Sequence, residues 1–385
     1  MKRQALEPRT RIAVNTRFLI KNKLEGIGLF TYESLKRIVQ SHPDIDFYFL
    51  FDRAYDQEFV FGPNVKPVVL FPQARHPFLW YWWFEISVSG WLKENKPDLF
   101  LSTDGYACLS TKVPQVMVMH DLAFEHFKDH VPGLTGKYYR YYSPRFANKV
   151  QRIATVSEFS KKDITAFYGI PPERIGVVYN GSKEVYKPVS EETKRQVREH
   201  YSDGKNYFIY VGSIHPRKNV GNLLLAFDKF KNETQADLKL LIVGRKAWDF
   251  SEMQRTYESM DHKSDVKFLG HIPPQELGAL VASAFAMVYV SLFEGFGIPI
   301  VEAMSCNVPV ITSNISSMPE VAGDAALLVN PKSVQEIAEA MNKLHTDSAL
   351  RNTLIEKGKT HLQKFSWDLT ATKLWACCEK VLNNA

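Results

Sequence analysis

The sequence predicts an α/β protein of two consecutive doubly wound units, and three observations carry the prediction. Short, fully apolar runs recur at strand length without polar alternation, as in parallel strands covered on both faces. Several lead into glycine turns followed by residues at helical spacing, the opening of a βαβ unit. After a polar, charged stretch from Ser182 to about Lys205, the same pattern starts again.

Arg11–Arg17 reads as the first strand, and the turn Gly26-Ile27-Gly28 leads into a helix over Leu29–Val39. Phe47–Phe51, Val68–Phe71, Leu99–Leu101, Val116–Met119, Ile153–Val156 and Val177–Tyr179 continue the strands. Ser157-Glu158 is a helix-start signal, and Asn180-Gly181 closes the series with a turn. The second half begins with Tyr207–Val211, the turn Gly212-Ser213 and an amphipathic helix over Asn219–Phe230. Leu238–Val243, Val266–Leu269, Ala286–Val290, Val308–Ile311 and Ala326–Val329 follow as strands. Trp367–Leu382 is amphipathic and helical, placed to pack back across the first half. The expected domains are therefore 1–185, 186–365 and a terminal helical segment 366–385. Two such domains facing each other put ligands at the carboxyl ends of both sets of strands, in the cleft between them.

Composition narrows the function. The 385 residues are 45% apolar and 23% charged, which excludes collagen, coiled coil and wholesale disorder. A net charge of +6 suits an acidic ligand or a loose membrane surface and gives no case for nucleic acid. The four cysteines include no Cys-x-x-Cys pair, so neither a zinc knuckle nor a disulfide framework is expected. Few thiols in a long chain point to a reduced, cytoplasmic compartment. Met1–Arg9 has no hydrophobic signal core, and no run approaches the ~20 apolar residues that span a bilayer.

The most specific motif is Ser291-Leu-Phe-Glu294-Gly295-Phe296-Gly297-Ile298-Pro-Ile-Val-Glu302. It joins a buried strand to a glycine-bracketed loop and a helix start, with Pro299 in the first turn where its missing N–H costs nothing. Backbone N–H groups there suit a diphosphate. The two carboxylates would repel phosphate, but they fit a sugar nucleotide: Glu294 for hydroxyls of the transferred sugar, Glu302 for the ribose. In Gly212-Ser-Ile-His-Pro-Arg217-Lys218-Asn219, two cations follow a strand and could neutralise a departing diphosphate. Gly26 and Gly28 would let backbone approach a donor phosphate. His120 stands at the end of a buried strand, where a lone histidine is by itself more often a structural residue than a sugar contact.

Glu294 and Glu302, with seven residues between them, resemble the E-x7-E signature of retaining GT-B glycosyltransferases. The run Phe293–Ser305 resembles glycosyltransferase family 4, and Thr312–Ala326 is most like its bacterial mannosyltransferase-type members. The resemblance covers nearly the whole chain and is strongest from Tyr207 to Pro331. It implies a GT-B fold with an acceptor-binding first domain and a nucleotide-sugar-binding second domain. It also implies a retaining, metal-independent hexosyl transfer, with mannose from GDP-mannose favoured and a glycan or lipid-linked glycan as acceptor. A cofactor is not expected, the nucleotide sugar being a co-substrate. Glu294, Arg217, Lys218 and His120 take the catalytic roles. Gly26, Gly28, Gly212, Gly244, His271, Ile272, Gly295, Phe296, Gly297, Ile298 and Glu302 fall where the family holds the donor. A sugar-nucleotide epimerase or hydrolase, and a catalytically silent binding subunit, remain the competing classes.

Three weaker features remain. Asp44-Ile-Asp46 spells an Asp-x-Asp metal motif but reads as turn and strand acids. Phe78–Trp91 is crowded with aromatics, and Lys137–Arg152 is basic and aromatic without an acid. Both suit sugar stacking or a lipid headgroup interface at the inner face of a membrane, and equally a helix with core aromatics and solvated cations.

Overall fold

The computed structural model describes residues 9–131, 133–245 and 251–384. The polar leader Met1–Pro8 therefore lies outside the described residues. The chain divides into two compact units: unit 1 is the chain up to Asn180 together with Trp367 onward, and unit 2 is Gly181–Ser366.

Unit 1 is a seven-stranded sheet of β1 (Arg11–Asn15), β2 (Asp46–Phe51), β3 (Val65–Val69), β4 (Leu99–Ser102), β5 (Gln115–Val118), β6 (Arg152–Thr155) and β7 (Ile175–Val177). All pairs are parallel, in the order β3-β2-β1-β4-β5-β6-β7. Strand order reverses between β1 and β4, the place where doubly wound sheets open a crevice. β3 lies earlier than the expected Val68–Phe71, because Lys66 and Pro67 hide its apolar pattern. Pro67 is tolerated there because β3 is an edge strand. β7 likewise starts two residues before the expected Val177.

The helix Trp367–Leu382 completes unit 1. It packs on the helix Ile27–Ser41 with Trp375 over His42 at 3.9 Å between ring centres, and Thr370 donates to the Tyr179 carbonyl. Cys377 fills the space beside Gly176, where a Cβ would stand 2.6 Å from its sulfur. All four cysteines are buried and unbridged. Asp46 opens β2 paired with Lys66, so Asp44-Ile-Asp46 is turn and strand as expected.

Unit 2 is a six-stranded parallel sheet of β8 (Asn206–Val211), β9 (Leu238–Val243), β10 (Val266–Gly270), β11 (Ala286–Tyr289), β12 (Val310–Ser313) and β13 (Ala326–Val329), in the order β10-β9-β8-β11-β12-β13. Its order reverses between β8 and β11. The polar stretch 182–205 is not all loop: Glu191–Ser202 is a helix capped by Ser190, whose hydroxyl accepts from Thr193 N–H at 3.1 Å. Only Ser202 of that helix is buried, so it carries no apolar stripe by which the sequence could announce it.

Candidate functional site

The chemistry of unit 2 gathers where its strand order reverses. The loop after β8 carries Arg217 and Lys218, and the loop that follows β11 carries Glu294. Two contacts lock the loops together. Leu292 N–H donates to the Arg217 carbonyl at 2.8 Å, and the Asn219 amide donates to the Val290 carbonyl at 2.9 Å. Asn219 adopts φ +61, a left-handed conformation that asparagine tolerates better than most residues.

Glu294 is 7% exposed and holds both cations. Lys218 Nζ donates to its Oε1 at 2.6 Å, and Arg217 Nη1 stands 3.2 Å from Oε2. The Tyr289 hydroxyl donates to Oε1 at 3.0 Å and accepts from Lys218 Nζ at 2.8 Å. Burial pushes the Glu294 carboxyl up, but Lys218 and Arg217 outweigh it and bring it down to about 2. The cluster is thus two cations around one ionised carboxylate, with one positive charge in excess. Tyr210 stacks on Tyr289 at 6.0 Å, and burial beside Glu294 holds both phenols well above their usual range.

The loop 294–297 is fixed from β12's side. Glu294 N–H donates to Ser316 Oγ at 3.2 Å, and the Ser317 hydroxyl donates to the carbonyls of Glu294 and Phe296 at 2.9 Å each. Gly297 takes φ +101 to start the helix Ile298–Ser305. Phe296 is core, packed edge-on to Phe365.

Glu302 sits on that helix, buried and hydrogen-bonded to Tyr186, with Lys183 nearby. Burial pushes its carboxyl up to about 7, with Lys183 and Tyr186 opposing. A folded-state value above the ordinary one means that the folded chain binds the extra proton. The resulting stability is complete below about 4.5 and lost as pH rises through about 7. Glu302→Gln is expected to remove that loss: relative to wild type, the variant gains about 3 kcal/mol between pH 5 and pH 8 in urea unfolding. Parallel pH profiles for the two proteins would contradict this assignment.

The remaining expected donor residues divide. Gly212 and Gly244 stand against each other at the ends of β8 and β9, and a Cβ on Gly244 would lie 1.8 Å from the Gly212 oxygen. Backbone packing alone requires Gly244. His271 and Ile272 follow the edge strand β10; His271 is exposed and Ile272 half-buried.

In unit 1, Gly26 starts the helix Ile27–Ser41 with φ +48, and a Cβ on Gly28 would meet the Phe18 carbonyl at 2.8 Å. His120 follows β5, with Nε2 at 2.9 Å from the Thr103 oxygen and its ring edge-on to Phe30. Burial holds its imidazole below the usual range, so it is neutral at pH 7. Sequence reasoning missed a buried pair at unit 1's own reversal point. Arg17, after β1, donates from Nε to Asp104, after β4, with Tyr106 beneath the guanidinium at 4.2 Å. It also missed Tyr289, Ser316 and Ser317. Among the described residues, no three His, Cys, Asp or Glu side chains group as metal ligands would.

Residues 24–182 match the family described as Glycosyltransferase Family 4, and residues 190–361 match Glycosyl transferases group 1. The chain is 31% identical to O-antigen chain mannosyltransferase B of Escherichia coli, over 67% of this chain and 68% of that protein. It is 28% identical to O-antigen chain mannosyltransferase RfbU of Salmonella typhimurium, over 74% of this chain and 78% of that one. The crystal structure of Anabaena HepE in complex with UDP and glucose is similar with a TM-score of 0.74 at 18% identity, covering 97% of this chain and 100% of that one. At that identity the likeness carries the fold alone, which is GT-B.

Proposed function

The chain belongs to glycosyltransferase family 4, and on that premise we propose that it moves a mannosyl unit from GDP-mannose to a hydroxyl of a glycan or lipid-linked glycan, retaining configuration and using no metal. The observation that supports this most is the buried Glu294 held between Lys218 and Arg217 where the strand order of unit 2 reverses. The mannosyltransferase names of the two relatives favour the sugar, and the role of those relatives in O-antigen chains favours a cell-surface polysaccharide. A nucleotide-sugar donor and unbridged cysteines favour the cytoplasm.

In this reading the excess positive charge meets the diphosphate as it departs, when its negative charge grows. Glu294, kept ionised, accepts hydrogen bonds from sugar hydroxyls, and Glu302 accepts them from the ribose. His120 contacts the transferred sugar. The acceptor oxygen forms its bond to the anomeric carbon on the face from which the diphosphate leaves. The acceptor proton passes to the departing phosphate oxygen, so no protein base is needed.

The deciding experiment is a thermal-shift titration with GDP, UDP, GDP-mannose and UDP-glucose, with and without EDTA. A ligand at a hundred times its dissociation constant stabilises by about 2.7 kcal/mol. A shift with guanine nucleotides that EDTA leaves unchanged is the expected result. A shift that needs divalent metal, or one with uracil nucleotides only, would refute those parts. Lys218→Ala is expected to lower kcat about a hundredfold, because one of the two cations facing the diphosphate is gone. A folded variant within threefold of wild type would remove Lys218 from the chemistry. An epimerase or hydrolase would instead convert the donor without acceptor, and a silent subunit would bind the nucleotide and release no GDP.

A further inference from the structure

Glu294 and Glu302 are both buried carboxylates, yet their partners differ in kind. Glu294 touches two cations, whereas Glu302 is acted on by the Lys183 ammonium and by the Tyr186 hydroxyl, which donates to it. Both of these groups come from one turn. Tyr186 N–H donates to the Lys183 carbonyl at 3.0 Å, so the four residues Lys183–Tyr186 close on themselves and bring their two ends together. A carboxylate in front of those ends meets a charge and a hydrogen-bond donor at once.

The turn is fixed in place. The Val185 oxygen lies against Gly278 on the helix Pro274–Ala282, where a Cβ would stand 2.4 Å from it. Cys306, one helical turn after Glu302, brings its Sγ to 4.0 Å from the Gly278 carbonyl. The same glycine thus joins the turn to the helix that carries Glu302. Glu184 and Lys187 are exposed, while Tyr186 is 6% exposed. Charges on the neighbouring helices are engaged elsewhere: Glu276 accepts from Tyr201, Lys357 pairs with Asp324 at 3.0 Å, and His361 Nε2 lies 3.1 Å from the Val321 carbonyl. The Cys306 thiol also acts with Glu302, but burial pushes it up to about 12 and keeps it neutral.

We infer that Lys183 and Tyr186 are positioning residues for Glu302, holding its carboxylate ionised and oriented to accept from the vicinal hydroxyls of a nucleotide ribose. The inference rests on the ribose role proposed for Glu302 and names what makes that role possible. A protonated carboxyl turns one of its oxygens into a donor, and burial pushes this one up to about 7 against the opposition of Lys183 and Tyr186. Without them it would keep its proton to higher pH. The ionised carboxylate has about four acceptor positions, so the Tyr186 hydroxyl leaves room for two ribose hydroxyls.

The test is calorimetric titration of the full chain with GDP, UDP and their 2′,3′-dideoxy analogues, from about pH 5 to about pH 9. The ratio of the two dissociation constants, dideoxy over ribo, isolates the ribose hydroxyls and cancels the titration of the phosphates. In the wild type that ratio should be about tenfold or more at high pH and fall towards one as pH drops through about 7. Lys183→Met and Tyr186→Phe should each move the midpoint up by about one pH unit, because each removes a group that lowers the Glu302 carboxyl. Lys183→Arg, which keeps the charge, should leave it near the wild-type value. A wild-type ratio near one at every pH, or no binding of either nucleotide, overturns the ribose role of Glu302 and this inference with it. A clear wild-type ratio whose midpoint neither variant moves overturns the inference alone. So does a variant that binds all four ligands more weakly at an unchanged midpoint, since that is the mark of a merely structural turn.

Discussion

Glu294→Gln is expected to lower kcat for sugar transfer on the order of a thousandfold while nucleotide binding survives. Glutamine keeps the volume and an acceptor for the Tyr289 hydroxyl, so the loop around it has no reason to collapse. What disappears is the charge that fixes Lys218 and Arg217 and that, in the function proposed, accepts from the sugar. Lys218 and Arg217 keep 13% and 20% of their side chains exposed, so water reaches them and the loss of their partner is survivable. The wild-type carboxyl, brought down to about 2 from an ordinary 4.5, contributes stability present above about 4.5 and lost as pH falls through about 2. In the glutamine variant that acid limb should vanish from the stability profile. Steady-state rates at saturating donor, with a nucleotide thermal shift as the folding control, decide the matter. A folded variant with kcat within threefold of wild type would sink the assignment.

Gly244→Ala should do greater damage to the fold than any other single methyl group added near the site. Its Cβ would have to share space with the Gly212 oxygen at 1.8 Å, and the residue would have to hold φ +147. Neither neighbour is the movable end of a side chain, so strands β8 and β9 must separate. The expected cost is about 4 kcal/mol or more, enough to abolish the cooperative unfolding of unit 2. Gly221→Ala is the control: in the helix Val220–Thr234, with nothing within 4 Å, it should be neutral or add up to about 1 kcal/mol. Urea unfolding of both variants tests this, and equal midpoints would refute the packing argument.

The features legible in the sequence are those whose physics is local. Apolar strands, glycine turns and the spacing of Glu294 and Glu302 each lie within one stretch of chain. Arg217 and Lys218 could be chosen for their charge and their place after a strand. Their ion pairs with Glu294 could not be read, because these depend on β8 lying beside β11, strands far apart in sequence. Tyr289, Ser316 and Ser317 look like ordinary strand and loop residues until that adjacency exists. The aromatic segment shows a second limit. Pro77, Trp83, Phe84 and Val88 are buried and Phe78, Tyr81 and Trp82 exposed, each set at the threes and fours of one helical face. Both faces carry aromatic rings, so hydrophobicity along the sequence does not tell which of them the core takes.

Unit 1 is assembled from two lengths of chain that flank unit 2, and this orders events on the ribosome. At roughly 5–20 residues per second, the 186 residues of Gly181–Ser366 take roughly 10 to 40 s to translate. For that interval the nascent first unit waits without the helix that covers Ile27–Ser41 and fills the space beside Gly176. Unit 2 emerges whole and can fold first, so the segment translated earliest becomes native last. A premature stop just after Ser366 would therefore spare unit 2 and leave unit 1 a substrate for chaperones.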